Sequence, residues 1–165
     1  MNSSLKQLIF LVFLVSVSFS AQAAILFSAN LSGSQEVPSN LSPATGFGSV
    51  LLSDDQTSIT VSLNFSGLLA AQTAAHIHGP AAPGVNGPIV FPLPLGQVSN
   101  AVFAITPAQA ASLMNELFYF NVHSQQFRGG EIRGQILAVP EPAPWGLVAL
   151  GLAVLAIRAR ATSLR

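Results

Sequence analysis

Ile59, Val61, Leu63 and Phe65 alternate with Thr60, Ser62 and Asn64. A period of two sends successive side chains to opposite faces of an extended chain, so this stretch is a strand that buries one side only. Short segments of the same kind recur at Ile25 to Leu31, Gly46 to Leu52, Ala74 to His78, Ile89 to Leu93, Ala101 to Ile105, Phe118 to His123 and Glu131 to Leu137. Turn chemistry separates them: Ser53-Asp54-Asp55, Ser66-Gly67, Gly79-Pro80, Asn86-Gly87-Pro88 and Arg128-Gly129-Gly130. Many short strands between such turns predict an all-β fold, an antiparallel β-sandwich. One short helix interrupts them. In Thr106-Pro107-Ala108-Gln109, Thr106 can cap, Pro107 suits the first helical position and Gln109 can reach back. Ala110, Leu113, Met114 and Leu117 then supply an apolar stripe at helical spacing, read as core packing.

The two ends do not share this pattern. Lys6 precedes an apolar run from Leu8 to Val15 that continues to Phe19, and Ala21-Gln22-Ala23 is a small-x-small cleavage site. These are the parts of a secretory signal peptide over residues 1–23, which would start the mature chain near Ala24. At the other end Pro140-Glu141-Pro142 leads into an apolar run from Ala143 to Ile157, followed by Arg158 and Arg160. Trp145 at the edge of that run and basic residues behind it are the flanks of a membrane helix with its tail in the cytoplasm. The arrangement over residues 139–165 resembles the PEP-CTERM sorting signal of Gram-negative bacteria. That resemblance implies transient membrane anchoring by the C-terminal helix and processing by an exosortase-type membrane protease. It also implies delivery to the cell envelope or to an extracellular, biofilm-type matrix.

What remains, residues 24–138, is enough for one domain with one core. The 50% hydrophobic content owes much to the two ends. Within the body Glu36, Asp54, Asp55, Glu116 and Glu131 outnumber Arg128 and Arg133, so it is mildly acidic. Nucleic-acid binding needs clustered Lys and Arg and is not expected. Cysteine is absent, which excludes disulfides, a thiol nucleophile and thiolate metal sites. No Gly-x-Ser-x-Gly elbow occurs, and Glu36 and Glu116 have no evident carboxylate partner for glycoside hydrolysis.

All three histidines lie in the body. His76 and His78 share one face of their strand; Tyr119, Asn121 and His123 share one face of theirs; Glu131, Arg133 and Gln135 face away from the core on the last strand. If these strands are neighbours, His76, His78, Asn121, His123, Glu131 and Arg133 form one polar cluster. Two readings stay open. The cluster is a hydrogen-bond network that pins the sheet, or His76, His78 and His123 bind zinc or copper, with Asn121 or Glu131 as a further ligand or an outer partner. Three histidines are few for a two-metal site of superoxide-dismutase type.

Several of these residues carry a resemblance. Ala75-His76-Ile77-His78-Gly79-Pro80-Ala81, then Tyr119-Phe120-Asn121-Val122-His123, then Gly129-Gly130-Glu131-Ile132-Arg133-Gly134-Gln135 resemble the CHRD domain, named for its repeats in chordin. Leu31-Ser32-Gly33-Ser34-Gln35-Glu36-Val37-Pro38 resembles that family's opening segment. The resemblance implies an immunoglobulin-like β-sandwich and no settled biochemical activity. The expectation is therefore an exported, non-enzymatic binding or structural domain with no required cofactor, whose partners are exopolysaccharide or surface proteins. The alternative is a metal-binding domain.

Overall fold

The computed structural model describes residues 24–140. The expected signal peptide and the sorting helix beyond residue 140 lie outside them. Among the described residues no helix is long and apolar enough to cross a membrane.

Among the described residues nine strands and one α-helix follow in order: β1 (Ile25–Ser32), β2 (Thr45–Leu52), β3 (Ser58–Ser66), β4 (Gln72–His78), β5 (Ile89–Leu93), β6 (Val98–Ala104), α1 (Pro107–Met114), β7 (Tyr119–Ser124), β8 (Ile132–Gln135) and β9 (Leu137–Ala138). A single 3-10 turn, Gly33–Gln35, follows β1. Alternation places β3 as read: Ile59, Val61 and Leu63 are buried, and register joins Val61 to Val50 of β2 and Val50 to Phe27 of β1. The capping box forms as well. Thr106 Oγ1 accepts from Gln109 N and Thr106 N donates to Gln109 Oε1, while Ala110 and Leu113 enter the core.

The all-β antiparallel architecture with one helix is as expected, but the layering differs from two separate sheets. The strands form one sheet in the order β5-β4-β7-β8-β1-β2-β3-β6. It curls like a barrel into two four-stranded halves that face each other across the core. The joint between them is narrow. β8 meets β1 at the single pair Ser32↔Arg133, and β9 then pairs with β1 at Phe27↔Ala138 and Ser28↔Leu137. At the outer edges Phe91 of β5 and Phe103 of β6 bring their rings to 5.5 Å, which closes the core on that side.

Two expected strands are corrected. The last one splits, because Ile136 N still binds Phe118 O beside β7 whereas Leu137 and Ala138 turn to β1. The strand expected from Ala101 begins at Val98. Its start lacks clean alternation because Asn100 takes a left-handed φ of 52° and the pairing with β3 shifts there.

Candidate functional site

Strand order brings the polar faces together. β4 pairs with β7 and β7 with β8, so His76↔Asn121↔Arg133 lie in one row across three strands and His78↔Tyr119↔Gln135 in the next. Contrary to expectation, most of this face does not look into water. Tyr119, Asn121, Arg133 and Gln135 are buried, with Arg133 only 2% exposed. Two segments cover it: the stretch from Gly33 to Ser42, and the Gly79–Pro88 loop.

The covering segments are tied down by the polar side chains beneath them. Arg133 donates to Val85 O (2.9 Å) and Asn86 Oδ1 (3.2 Å), and its guanidinium carbon lies 3.5 Å from the centre of the Tyr119 ring. Gln135 Nε2 donates to Glu116 O (2.6 Å) and Ala81 O (3.3 Å). Gly87 N donates to the Tyr119 hydroxyl. These bonds give the buried side chains of Arg133, Gln135 and Tyr119 hydrogen-bond partners.

Glu131 departs from the expected cluster. Its carboxylate does not turn to the histidines or to Arg133; Oε1 accepts from Ser42 Oγ and Leu69 N, both at 2.7 Å. Burial pushes its pKa up, but hydrogen bonds from Ser124, Ser42 and Leu69 N outweigh that and hold it below the usual carboxylate range. The carboxyl group that feels the charge of Arg133 is Glu36, which is 6% exposed and accepts from Asn121 Nδ2 at 3.4 Å. Desolvation raises Glu36 to a pKa of about 7, against the opposing pull of Arg133 and Asn121. Glu36 escaped the motif reading because its partner lies far along the chain. The only signal available was its place in the family-like opening segment.

The three histidines do converge. His76 Nδ1 is 3.2 Å from His123 Nε2, and one ring nitrogen from each histidine lies within 4.8 Å of the others. His78 stacks on Tyr119 at 5.1 Å between ring centroids, with 12° between the planes. His78 Nδ1 lies 3.0 Å from Gly87 O, and His123 Nδ1 lies 3.0 Å from Arg128 O. Burial depresses the pKa of His76, reinforced by its neighbours His123 and His78. His78 is also depressed, by burial first and then by His123 and Arg133, with the Gly87 carbonyl pulling the other way. His76 and His123 open onto a surface cleft shared with Thr73, Ala74, Gln125 and Arg128. His76, His78 and His123 are thus the residues able to hold a metal; Asn121, Glu131 and Arg133 are occupied with the fold. Asp54 and Asp55 occupy the turn between β2 and β3, where Asp55 Oδ1 accepts from Ser53 Oγ and Thr57 N.

Comparison with known families gives one match: the model of the CHRD domain covers residues 27–136. No curated protein and no solved structure matches the chain.

Proposed function

The chain belongs to the CHRD domain family, and from that premise we propose that it is a non-enzymatic binding or structural module of a bacterial cell envelope or extracellular matrix. The observation that carries the reading is the extent of the match. Residues 27–136 take in nearly the whole described body, so the domain's role is the body's role. The polar face supports it. Arg133, Gln135 and Tyr119 are engaged with the backbone of the covering loop, which is how a rigid presenting surface is built.

Delivery rests on the sequence of the two ends. The run from Leu8 to Phe19 with Ala21-Gln22-Ala23 directs export, and Pro140-Glu141-Pro142 with the following apolar stretch and Arg158 and Arg160 engages an exosortase-type protease. The partners are then exopolysaccharide or other surface proteins. A deletion strain tests this. It is expected to lose matrix integrity, to regain it with the whole chain, and not to regain it with a chain lacking residues 27–136. Replacing Pro140-Glu141-Pro142 with alanines is expected to leave export intact and to trap the protein in the inner-membrane fraction. An unchanged matrix in the deletion strain overturns the structural role; unchanged fractionation of the alanine variant overturns the sorting role.

A further inference from the structure

We propose that His76, His78 and His123 bind one zinc or copper(II) ion, with a fourth coordination position open to the cleft beside Arg128. The site goes beyond a purely structural module, and three observations carry it.

The first is convergence. Ring nitrogens held by zinc at its usual bond length and tetrahedral angle lie about 3.4 Å apart. The His76–His123 pair already stands at 3.2 Å, and the third nitrogen needs only a small side-chain shift from within 4.8 Å. The second is tautomer. A carbonyl oxygen can only accept, so the contacts of His78 Nδ1 with Gly87 O and of His123 Nδ1 with Arg128 O place the proton on Nδ1 in both rings. Both Nε2 atoms then carry lone pairs: that of His78 has no partner, and that of His123 accepts from His76 Nδ1, whose proton a metal ion would displace. A backbone carbonyl behind an imidazole is the usual outer partner that orients a metal-binding histidine.

The third is an atom that the hydrogen-bond network leaves unexplained. His78 Nε2 is buried and has no partner, although its ring is held on one side by Gly87 O and on a face by Tyr119. A buried acceptor without a partner costs free energy that a network alone does not recover. A metal ion supplies the missing partner.

The ligand set selects the ion. Imidazole nitrogen without thiolate or carboxylate suits zinc and copper(II) and not calcium or magnesium, which take oxygen. Arg133 opposes a cation, but its guanidinium is turned onto the Tyr119 ring and bonded to Val85 O and Asn86 Oδ1. Three protein ligands leave one position for water or a small anion. That position faces the cleft shared by His76, His123, Gln125 and Arg128.

The test uses the full-length untagged protein, stripped with a chelator and titrated with zinc chloride or copper(II) sulfate. The chain holds three histidines and no cysteine, so competing sites of this chemistry are absent from the sequence. Calorimetry is expected to give one ion per chain. At a hundredfold excess over Kd the melting temperature is expected to rise by roughly 10 °C. His76→Asn and His123→Gln are each expected to weaken binding by about a hundredfold or more, since losing an outer partner alone costs ~10–100-fold. Arg128→Gln retains the ion, because its backbone carbonyl is unchanged. With copper, the paramagnetic resonance spectrum is expected to show three nitrogens and to change on adding azide. Failure to bind at millimolar metal, or one ion still bound by the double variant His76→Asn/His123→Gln, overturns the site. A spectrum indifferent to azide overturns the open position. Should the double variant not fold, nitrogen-15 resonances of the histidine rings in the unsubstituted protein decide. The Nε2 signals of His78 and His123 must move on zinc addition, and unmoved signals reject the proposal.

Discussion

A carboxyl group that gives up water must either find compensating partners or keep its proton. Glu36 has one long hydrogen bond from Asn121 and a distant cation in Arg133, and its Oε1 is buried without a partner. Its pKa of about 7 in the folded chain lies above the 4.5 of an unburied glutamate. Between those values the folded state holds a proton that the unfolded chain releases, so stability falls as pH rises through the window and levels off above 7. The depressed His76 and His78 act oppositely, because below pH 6.5 the unfolded chain takes up protons that the folded rings refuse. Glu36→Gln removes only the first effect. Urea melts of both proteins at pH 5 and pH 8 are expected to show the variant gaining about 2–3 kcal/mol on the parent across that range. A constant difference between the two would show that Glu36 is ionised in the fold. The histidine face was legible in the sequence because spacing alone puts His76 and His78 on one side of a strand. Glu36 was not, since nothing local reveals that Arg133 lies on the strand beneath it. The same gap explains the misplacement of Glu131, whose partners Ser42 and Leu69 arrive from other segments.

Elements were easier to read than their packing. Each expected strand exists because alternation and turn residues are local signals, and the Thr106–Gln109 cap is local too. What alternation cannot say is which strands sit opposite one another across the core. Gly48 is the clearest case. In β2 it occupies a core-facing place between Gly46 and Val50, and sequence offers no reason for the missing side chain. In the fold a Cβ there would stand 2.4 Å from Cε2 of Phe120, a fully buried ring on β7 in the opposite half. The glycine is the socket for that ring. Gly48→Ala is expected to destabilise the protein by about 1–3 kcal/mol, because a ring packed on every side cannot yield without moving its neighbours. Chemical denaturation measures it. Phe120→Leu in the same chain should recover part of the loss, and the absence of any recovery would deny that the two positions share one space.

At the scale of the whole molecule, the first and last strands of the sheet approach one another without pairing, so β5 and β6 each keep a free edge, and exposed edges invite pairing with other chains. Here the contact is made by side chains, with the Phe91 and Phe103 rings at 5.5 Å and Phe91 also against Phe118 at 6.4 Å. Phe103→Ala is expected to cost about 2 kcal/mol or more. It is also expected to speed amide hydrogen exchange in β5 and β6 before other strands, as local opening would. Uniform exchange across all strands would mean that the rings do not hold the edges. This curled single sheet, and not two separate layers, is what local sequence signals could not convey, because it depends on the pairing of Ser32 with Arg133 and on the partner switch near Ile136.

That switch has a further consequence. β9 lies beside the beginning of β1, with Val139 N bonded to Leu26 O, so the two ends of the described body emerge together. β8 has by then run down from the level of Ser32, and His123 stands beyond that level at the far pole. A body fastened by either end, to a lipid surface or to a bead, would hold His123 toward its free pole and present His76 and His78 on its flank.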